Sequence, residues 1–356
     1  MEPGNGGSAA TTTAATAAPA ALTKKDFVSN QDIRWCPGCG DYAILSSAQN
    51  VFPKLGIPRE NFVVISGIGC SSRFPYYVNT YGFHSIHGRA PTFATGLKLA
   101  RPDLSIWIVT GDGDGLSIGG NHLVHIMRRN VDCTILLFNN RIYGLTKGQT
   151  SPTSEFNKKT KSTPLGSIDY PINPISLALA SEATFIARTL DTDPKHMARI
   201  FQQAAEHKGT SFVEIYQNCI IFNDGAFEPI SDKTTRADNA LFLDHGRPLV
   251  YGKDSHQAIR LNGWQPEVLT FDGTPPANVA VHDETAVDPS WAYLLSRMDP
   301  QAGFPVPLGV FRRVTRDTYE NLMTRQIEES RKKSGPGSAS ELQALLTGED
   351  TWTVPA

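Results

Sequence analysis

The sequence predicts an α/β fold built on a doubly wound parallel sheet, with a C-terminal extension. The first observation is that short apolar runs alternate with helical patterns from Phe27 to about Asp224, as expected of βαβ units. The second is that most of the runs end in glycine, cysteine, aspartate or asparagine, as ligand-binding sheets of this class do. The apolar runs, each long enough for one strand, cover residues 62–67, 104–111, 133–140, 184–190 and 211–218. The helical patterns around them cover residues 41–52, 91–100, 116–129, 175–182 and 194–207.

The composition divides the 356 residues into three parts. Residues 1–22 hold eight Ala and four Thr without a periodic apolar face, which predicts a disordered arm. Residues 23–230 form the predicted domain, and between Gly144 and Pro174 no period is visible, which is typical of a functional or mobile loop. The pattern weakens in residues 231–356, which are predicted to form an extension over the domain or a partner, with a charged helix at about 316–333.

Charge and hydropathy exclude several classes of protein. Lys and Arg number 33 against 35 Asp and Glu, so the net charge of −2 provides no field that would attract nucleic acid. The sequence contains no run of about 18 apolar residues, so no membrane span is predicted. The N-terminus lacks the pattern of a secretory signal, which favours the cytoplasm. Five cysteines, an odd number, argue against a disulfide framework and for metal or redox use.

Four of the five cysteines are predicted to meet above one edge of the sheet. Cys36 and Cys39 form a CxxC pair, while Cys70 and Cys219 each follow the end of a predicted strand. Four convergent thiolates fit an iron–sulfur cluster or a structural zinc ion, and a CxxC pair alone also fits a redox dithiol, so the spacing leaves these alternatives open. Cys133 begins an apolar run and is predicted to be a small buried hydrophobic residue.

An acidic turn follows the strand at 104–111. It has the sequence Gly111-Asp112-Gly113, and it lacks both the third glycine of a dinucleotide motif and the Gly-Lys-Ser/Thr of a P-loop. An aspartate beside a phosphate requires a bridging cation, and Mg²⁺ commonly combines carboxylates with phosphate oxygens. The next strand ends at Asn140, whose amide oxygen would lie beside Asp112. The pair therefore predicts a phosphate site bridged by Mg²⁺ or Ca²⁺, since both cations take oxygen ligands.

The segment at roughly 27–230 resembles the β subunits of 2-oxoacid:ferredoxin oxidoreductases, most closely those of the 2-oxoglutarate type. The strings that carry the resemblance are WCPGCGDYAIL, GIGCSSRFPYY, HGRAPTFATGLKLA, TGDGDGLSIGGNH and NNRIYGLTKGQ. The resemblance implies a sheet of the thiamine diphosphate-binding type, with Mg²⁺ held by Asp112, Asn140 and the carbonyl of Ile142. It also implies one [4Fe–4S] cluster on Cys36, Cys39, Cys70 and Cys219. The cofactor-binding residues that it suggests are Gly69, His87, Gly111, Asp112, Gly113, Asn140 and Ile142.

The function that the resemblance implies is oxidative decarboxylation of a 2-oxoacid to its acyl-CoA and CO₂, with coenzyme A as co-substrate and ferredoxin as electron acceptor. The chain has no second βαβ set to activate the cofactor's pyrimidine ring, so a larger α subunit is expected, in an αβ or (αβ)₂ assembly. His87 is a candidate catalytic residue. Arg73 and Lys147 can supply positive charge at the rim of the site, which favours 2-oxoglutarate over pyruvate; contacts of these cations with coenzyme A phosphates or the partner are the alternative.

Two other functions remain open at this point. A non-oxidative thiamine diphosphate decarboxylase or carboligase would share Asp112 and Asn140 but has no use for four convergent cysteines. A zinc-stapled binding protein would use the cysteines and leave the Asp112–Asn140 pair without a role.

Overall fold

The computed structural model describes residues 21–354, and an eight-stranded sheet lies at the centre of this part of the chain. Its strands are β1 (Phe62–Ser66), β2 (Tyr81–His84), β3 (Ser105–Gly111), β4 (Cys133–Asn139), β5 (Phe185–Leu190), β6 (Thr210–Tyr216), β7 (Ala240–Leu243) and β11 (Val306–Arg313). A second, three-stranded antiparallel sheet is formed by β8 (Val250–Tyr251), β9 (Gln257–Asn262) and β10 (Gln265–Thr270).

The helices lie between and beyond these strands. They are α1 (Asp41–Val51), α2 (Phe74–Tyr77), α3 (Ala90–Ala100), α4 (Asp112–Leu116), α5 (Gly120–Arg129), α6 (Pro174–Ala180), α7 (Pro194–Glu206), α8 (Glu228–Ser231), α9 (Arg236–Asn239), α10 (Ser290–Ser296), α11 (Tyr319–Ser334) and α12 (Ala339–Thr347). Within residues 21–354, no helix is both long and apolar enough to cross a membrane.

The strand order of the main sheet is β2-β1-β3-β4-β6-β5-β11-β7. Strands β1 to β6 pair in parallel, which confirms the predicted α/β fold class. From β1 the chain moves outward to β2 and then returns to place β3 on the other side of β1, so the order reverses between β1 and β3. A reversal of this kind opens a crevice at the carboxyl ends of the two strands.

Helices cover both faces of the sheet, and each face has its own apolar core. Along β1, Val63 and Ile65 pack into one core while Phe62 and Val64 pack into the other. Strands buried on both faces are apolar at successive positions instead of alternating. This explains why the sequence shows continuous apolar runs at the central strands.

The C-terminal part contributes two strands to the main sheet that the sequence analysis does not predict. Strand β11 pairs antiparallel with β5 and parallel with β7, so this edge runs opposite to β1–β6. The domain boundary at residue 230 stays a prediction, although the sheet extends across it. The predicted charged helix corresponds to α11, and α12 follows it. Residues 1–20 of the predicted disordered arm lie outside the described residues.

Candidate active site

A cleft lies at the carboxyl edge of the sheet, where the strand order reverses. The loops that follow β1, β3 and β4 form its walls. The predicted site residues that line the cleft are Gly69, Cys70, His87, Gly111, Asp112, Gly113, Asn140 and Ile142. The structure therefore brings together all the residues that the resemblance suggested for the cofactor.

Asp112 begins α4 directly after β3 and is buried. Its Oδ2 accepts hydrogen bonds from Ser151 Oγ at 2.5 Å and from Thr153 Oγ1 at 2.6 Å. Both hydroxyls belong to the long loop between β4 and α6, so this loop holds the acidic turn. Burial raises the pKa of Asp112 to about 6, because a charged carboxylate loses its hydration there. A divalent cation at this position would stabilise the charged form.

Asn140 follows β4 and has a fixed side-chain orientation. Its Oδ1 accepts from the backbone N–H of Ile142 at 3.1 Å, and its Nδ2 donates to Gln217 Oε1 at 2.8 Å. Arg141, which lies between Asn140 and Ile142, has a φ of 57°, a left-handed conformation that turns the chain sharply after the strand. An amide oxygen has a second lone pair, so Oδ1 can still bind a cation. With the Asp112 carboxylate and the Ile142 carbonyl, it forms a set of oxygen donors of the type that Mg²⁺ binds.

Open space lies beside the backbone of the cleft at Gly69, whereas the ring of Tyr143 fills that space at Gly113. A Cβ atom at Gly113 would lie 2.2 Å from a ring carbon of Tyr143, so no side chain fits there. Gly69 has a φ of 147°, which favours glycine, and among the described residues nothing lies within 4 Å of the position of a Cβ atom. Exposed backbone beside a cation site is suited to the close approach of a diphosphate.

Asp114, the second aspartate of the turn, is a site residue that the sequence analysis does not predict. It is buried, and its Oδ1 accepts from the N–H groups of Ile68 at 3.1 Å and Gly88 at 2.8 Å. The Nδ1 atom of His87 lies 2.8 Å from the same oxygen. Asp114 therefore joins the loop after β1 to the loop that carries His87. The repeated Gly-Asp in the turn is the signal that could have indicated it.

The four predicted cluster cysteines lie together beside the cleft. Cys36 is exposed, Cys39, Cys70 and Cys219 are partly buried, and Cys133 is buried in the apolar core as predicted. A Cβ atom at Gly144 would lie 3.6 Å from Cys70 Sγ and 3.5 Å from Cys219 Sγ, so these two sulfurs flank the same glycine. Burial raises the pKa of Cys39 and Cys219, and that of Cys70 to about 12. Positive charge is therefore needed to keep these sulfurs as thiolates.

The metal group that the four cysteines could bind depends on how far apart their sulfur atoms lie. A single zinc ion holds each sulfur about 2.3 Å from one point. In the described part of the chain, no three His, Cys, Asp or Glu side chains are grouped closely enough to hold a metal ion. In an iron–sulfur cluster each thiolate binds a different iron atom, so the sulfurs stand farther apart. The choice of an iron–sulfur cluster over a single zinc ion stays a prediction.

Two buried polar residues lie beside the cysteines and are also absent from the sequence prediction. Asp41 lines the cleft, and its Oδ2 has no hydrogen-bond partner among the described residues. Burial, followed by the charge of Asp191, raises the pKa of Asp41 to about 7. Gln217 donates from Nε2 to Cys39 Sγ at 3.3 Å. Asp41 lies two residues after Cys39 in the sequence, which is the signal that could have indicated it, whereas only the fold brings Gln217 to the site.

The two predicted substrate-binding cations do not line the cleft. Arg73 Nε donates to the hydroxyl of Tyr77 at 2.8 Å, and its guanidinium lies over the rings of Tyr76 and Tyr77. Lys147 is exposed, directly after Leu145 and Thr146, which do line the cleft. Both cations therefore lie within a few residues of chain segments that line the cleft. Their role in substrate binding stays a prediction.

Comparison with known proteins gives consistent matches. The family model of the thiamine pyrophosphate enzyme C-terminal TPP-binding domain matches residues 67–215. The chain is 54% identical over 330 residues to the 2-oxoglutarate oxidoreductase subunit KorB of Mycobacterium tuberculosis, covering 93% of this chain and 88% of that protein. It is 37% identical over 304 residues to the 2-oxoacid:ferredoxin oxidoreductase subunit beta of a Sulfolobus species, covering 85% and 86%. The solved 2-oxoglutarate:ferredoxin oxidoreductase of Magnetococcus marinus superposes with a TM-score of 0.72 at 33% identity, covering 91% of this chain and 96% of that one.

Proposed function

The chain belongs to the family of 2-oxoacid:ferredoxin oxidoreductase β subunits, and from this premise we propose that its enzyme oxidatively decarboxylates 2-oxoglutarate. The products are the acyl-CoA and CO₂, and the electrons leave singly through a [4Fe–4S] cluster to ferredoxin. The strongest support is that a carboxylate and amide pair suited to Mg²⁺ lies at the same sheet edge as four cysteines. The Magnetococcus marinus enzyme was solved with 2-oxoglutarate, coenzyme A and succinyl-CoA bound, which supports the choice of substrate.

The cleft has the donors to hold thiamine diphosphate through Mg²⁺. Asp112, Asn140 and the carbonyl of Ile142 would bind the cation, while Ser151 and Thr153 keep the carboxylate in place. When bound, thiamine diphosphate supplies the carbon nucleophile and the electron sink for decarboxylation. The Nδ1 atom of His87 lies 2.8 Å from Asp114 Oδ1, and Nε2 is the ring atom proposed to contact the diphosphate or the reacting carbon.

The cysteines would hold the electron acceptor beside that cleft. Cys36, Cys39, Cys70 and Cys219 supply the four thiolates, and Cys70 itself lines the cleft. A [4Fe–4S] cluster supplies one-electron acceptance to a site whose chemistry releases two electrons. Because Cys70 lines the same cleft as Asp112 and Asn140, a cluster held by these cysteines would lie beside the cofactor that it would oxidise.

A partner subunit is part of this proposal. The residues that would activate the pyrimidine ring are expected on a larger α subunit, in an αβ or (αβ)₂ assembly. The loop between β4 and α6 exposes Leu165, Ile168 and Tyr170 almost fully, at 94%, 84% and 82%. Apolar side chains exposed in one loop suit a surface that another subunit covers.

The test is anaerobic purification of the chain with and without its α subunit. We expect the chain alone to be brown and inactive, and the complex to reduce ferredoxin when given 2-oxoglutarate and coenzyme A. A colourless complex that releases CO₂ without an electron acceptor would support a non-oxidative thiamine diphosphate enzyme instead. A colourless zinc protein without either activity would support a binding role.

A further inference from the structure

The side chain of Gln217 connects the two cofactor sites. Gln217 follows β6 directly and is 1% exposed. Its Nε2 donates to Cys39 Sγ at 3.3 Å, and its Oε1 accepts from Asn140 Nδ2 at 2.8 Å. One buried amide therefore touches both a cysteine proposed for the cluster and an asparagine proposed for the magnesium site.

The orientation of this amide follows from its third partner. Nε2 also lies 2.6 Å from the backbone oxygen of Asn218, an atom that can only accept a hydrogen bond. The NH₂ group of Gln217 must therefore point to Asn218 and Cys39, which directs Oε1 to Asn140. Asn140 must then present its own NH₂ group to Gln217. The result is that the Oδ1 atom of Asn140 is the end left for the cation.

We propose that Gln217 is a positioning residue that fixes the amide of Asn140 for Mg²⁺ and raises the reduction potential of the cluster through its hydrogen bond to Cys39. The proposal rests on the function proposed above. An N–H group that donates to a cluster sulfur stabilises the more negative, reduced cluster, and hydrogen bonds to the sulfurs are an established determinant of cluster potentials. Residues that orient a metal ligand typically contribute ten- to a hundredfold in metal affinity.

Two substitutions separate the two roles. Gln217→Leu removes both hydrogen bonds, so the cluster potential should fall and the affinity for Mg²⁺ with thiamine diphosphate should drop roughly ten- to a hundredfold. Gln217→Glu keeps an oxygen for Asn140 but loses the donor to Cys39, so the potential should fall while the affinity drops less than in Gln217→Leu. The matched control is Gln49→Leu, which removes another buried glutamine whose Nε2 donates to the carbonyls of Phe27 and Tyr77, away from both sites.

The measurements are made on the anaerobically purified complex with the α subunit. The cluster potential is read by a redox titration monitored by electron paramagnetic resonance, and Mg²⁺-dependent binding of thiamine diphosphate is read by calorimetry. A wild-type complex without a cluster signal and without Mg²⁺-dependent binding would contradict the proposed function itself. If the wild type shows both, potentials of Gln217→Leu and Gln217→Glu equal to that of Gln49→Leu, or unchanged Mg²⁺ affinity in Gln217→Leu, would overturn the role of Gln217.

Discussion

Asp114 Oδ1 lies 2.8 Å from His87 Nδ1 and accepts hydrogen bonds from two backbone N–H groups of the cleft walls. One oxygen of the carboxylate therefore joins the two loops of the cleft walls and lies beside a candidate catalytic histidine. Its Oδ2 accepts from Thr110 Oγ1 at 2.7 Å, which ties the arrangement to β3. The acidic turn therefore has two roles in the cleft. Asp112 is the proposed ligand of the cation, and Asp114 joins the loops of the cleft walls.

We expect Asp114→Ala to weaken the binding of thiamine diphosphate more than Asp114→Asn does. Alanine leaves the N–H groups of Ile68 and Gly88 without their acceptor, at a cost of about 1–3 kcal/mol for each buried group. Asparagine retains an oxygen for those groups and loses the charge beside His87 and the acceptor for the hydroxyl of Thr110. Calorimetry on the complex with Mg²⁺ checks the order of affinities. Wild-type affinity in Asp114→Ala would show that the loops do not depend on this carboxylate.

Thr153→Val should weaken Mg²⁺-dependent binding of thiamine diphosphate by roughly ten- to a hundredfold. Thr153 Oγ1 lies 2.6 Å from Asp112 Oδ2 and 2.9 Å from Asn139 Oδ1, so its removal frees a proposed metal ligand. The matched control is Thr163→Val in the same loop, because Thr163 bonds only within that loop. Equal affinities of the two variants, measured by Mg²⁺ titration, would contradict a role for the loop in holding Asp112.

The strands that the sequence analysis predicts correctly are those that are buried in the structure. The five predicted strands match β1 and β3–β6 closely, because strands buried on both faces form nearly continuous apolar runs. Strand β2 is missed because all four of its residues are exposed, and β11 because Pro307 and Gly309 interrupt its apolar run. The same contrast holds in the site. Asp112 and Asn140 lie in a recognisable spacing, whereas Gln217 and Asp114 acquire their partners only when distant strand ends meet.

Cys219→Ala should lose most of the iron, whereas Cys133→Ala should keep it. Cys219 lies beside Cys70 across Gly144, at the edge where the cluster is proposed. Cys133 is buried at the start of β4 in an apolar core, so its truncation should cost only a modest amount of stability. The iron content and the visible absorbance of the two variants, purified anaerobically, measure how much cluster each variant retains. Loss of the cluster in Cys133→Ala together with its retention in Cys219→Ala would show that the ligand assignment is wrong.

His196 should make α7 less stable as the pH falls. The ring is buried and its Nδ1 lies 2.8 Å from Thr189 Oγ1, and burial lowers the pKa of His196 to about 4. The unfolded chain takes up a proton near the ordinary pKa of about 6.5, so the stabilisation is present above that pH and is lost as the pH falls toward 4. At pH 5.5 the loss should be about 1.4 kcal/mol.

Hydrogen exchange of α7 in the complex at pH 7.5 and 5.5, corrected for intrinsic rates, measures this effect. We expect His196→Gln to show a smaller loss of protection than the wild type. The control is Lys195→Gln, an exposed neighbour on the same helix, which should behave as the wild type. An identical loss of protection in the wild type and in His196→Gln would exclude His196 as the cause.

Arg73 and Lys147 are predicted to favour 2-oxoglutarate over pyruvate. The distal carboxylate of 2-oxoglutarate can form a charge-assisted pair with either cation, whereas pyruvate has no group to offer. Arg73→Met keeps an unbranched apolar chain for contact with the rings of Tyr76 and Tyr77 while it removes the charge.

The expected result is that Arg73→Met or Lys147→Met lowers the preference by roughly ten- to a hundredfold, which is the effect of losing one such pair. The measurement is kcat/KM for both acids in the complex. Arg101→Met is the control, because Arg101 is exposed and pairs with Asp103. Equal losses toward both acids would assign these cations to coenzyme A or to the partner subunit. A wild type that prefers pyruvate would show that charge at this rim does not select the substrate.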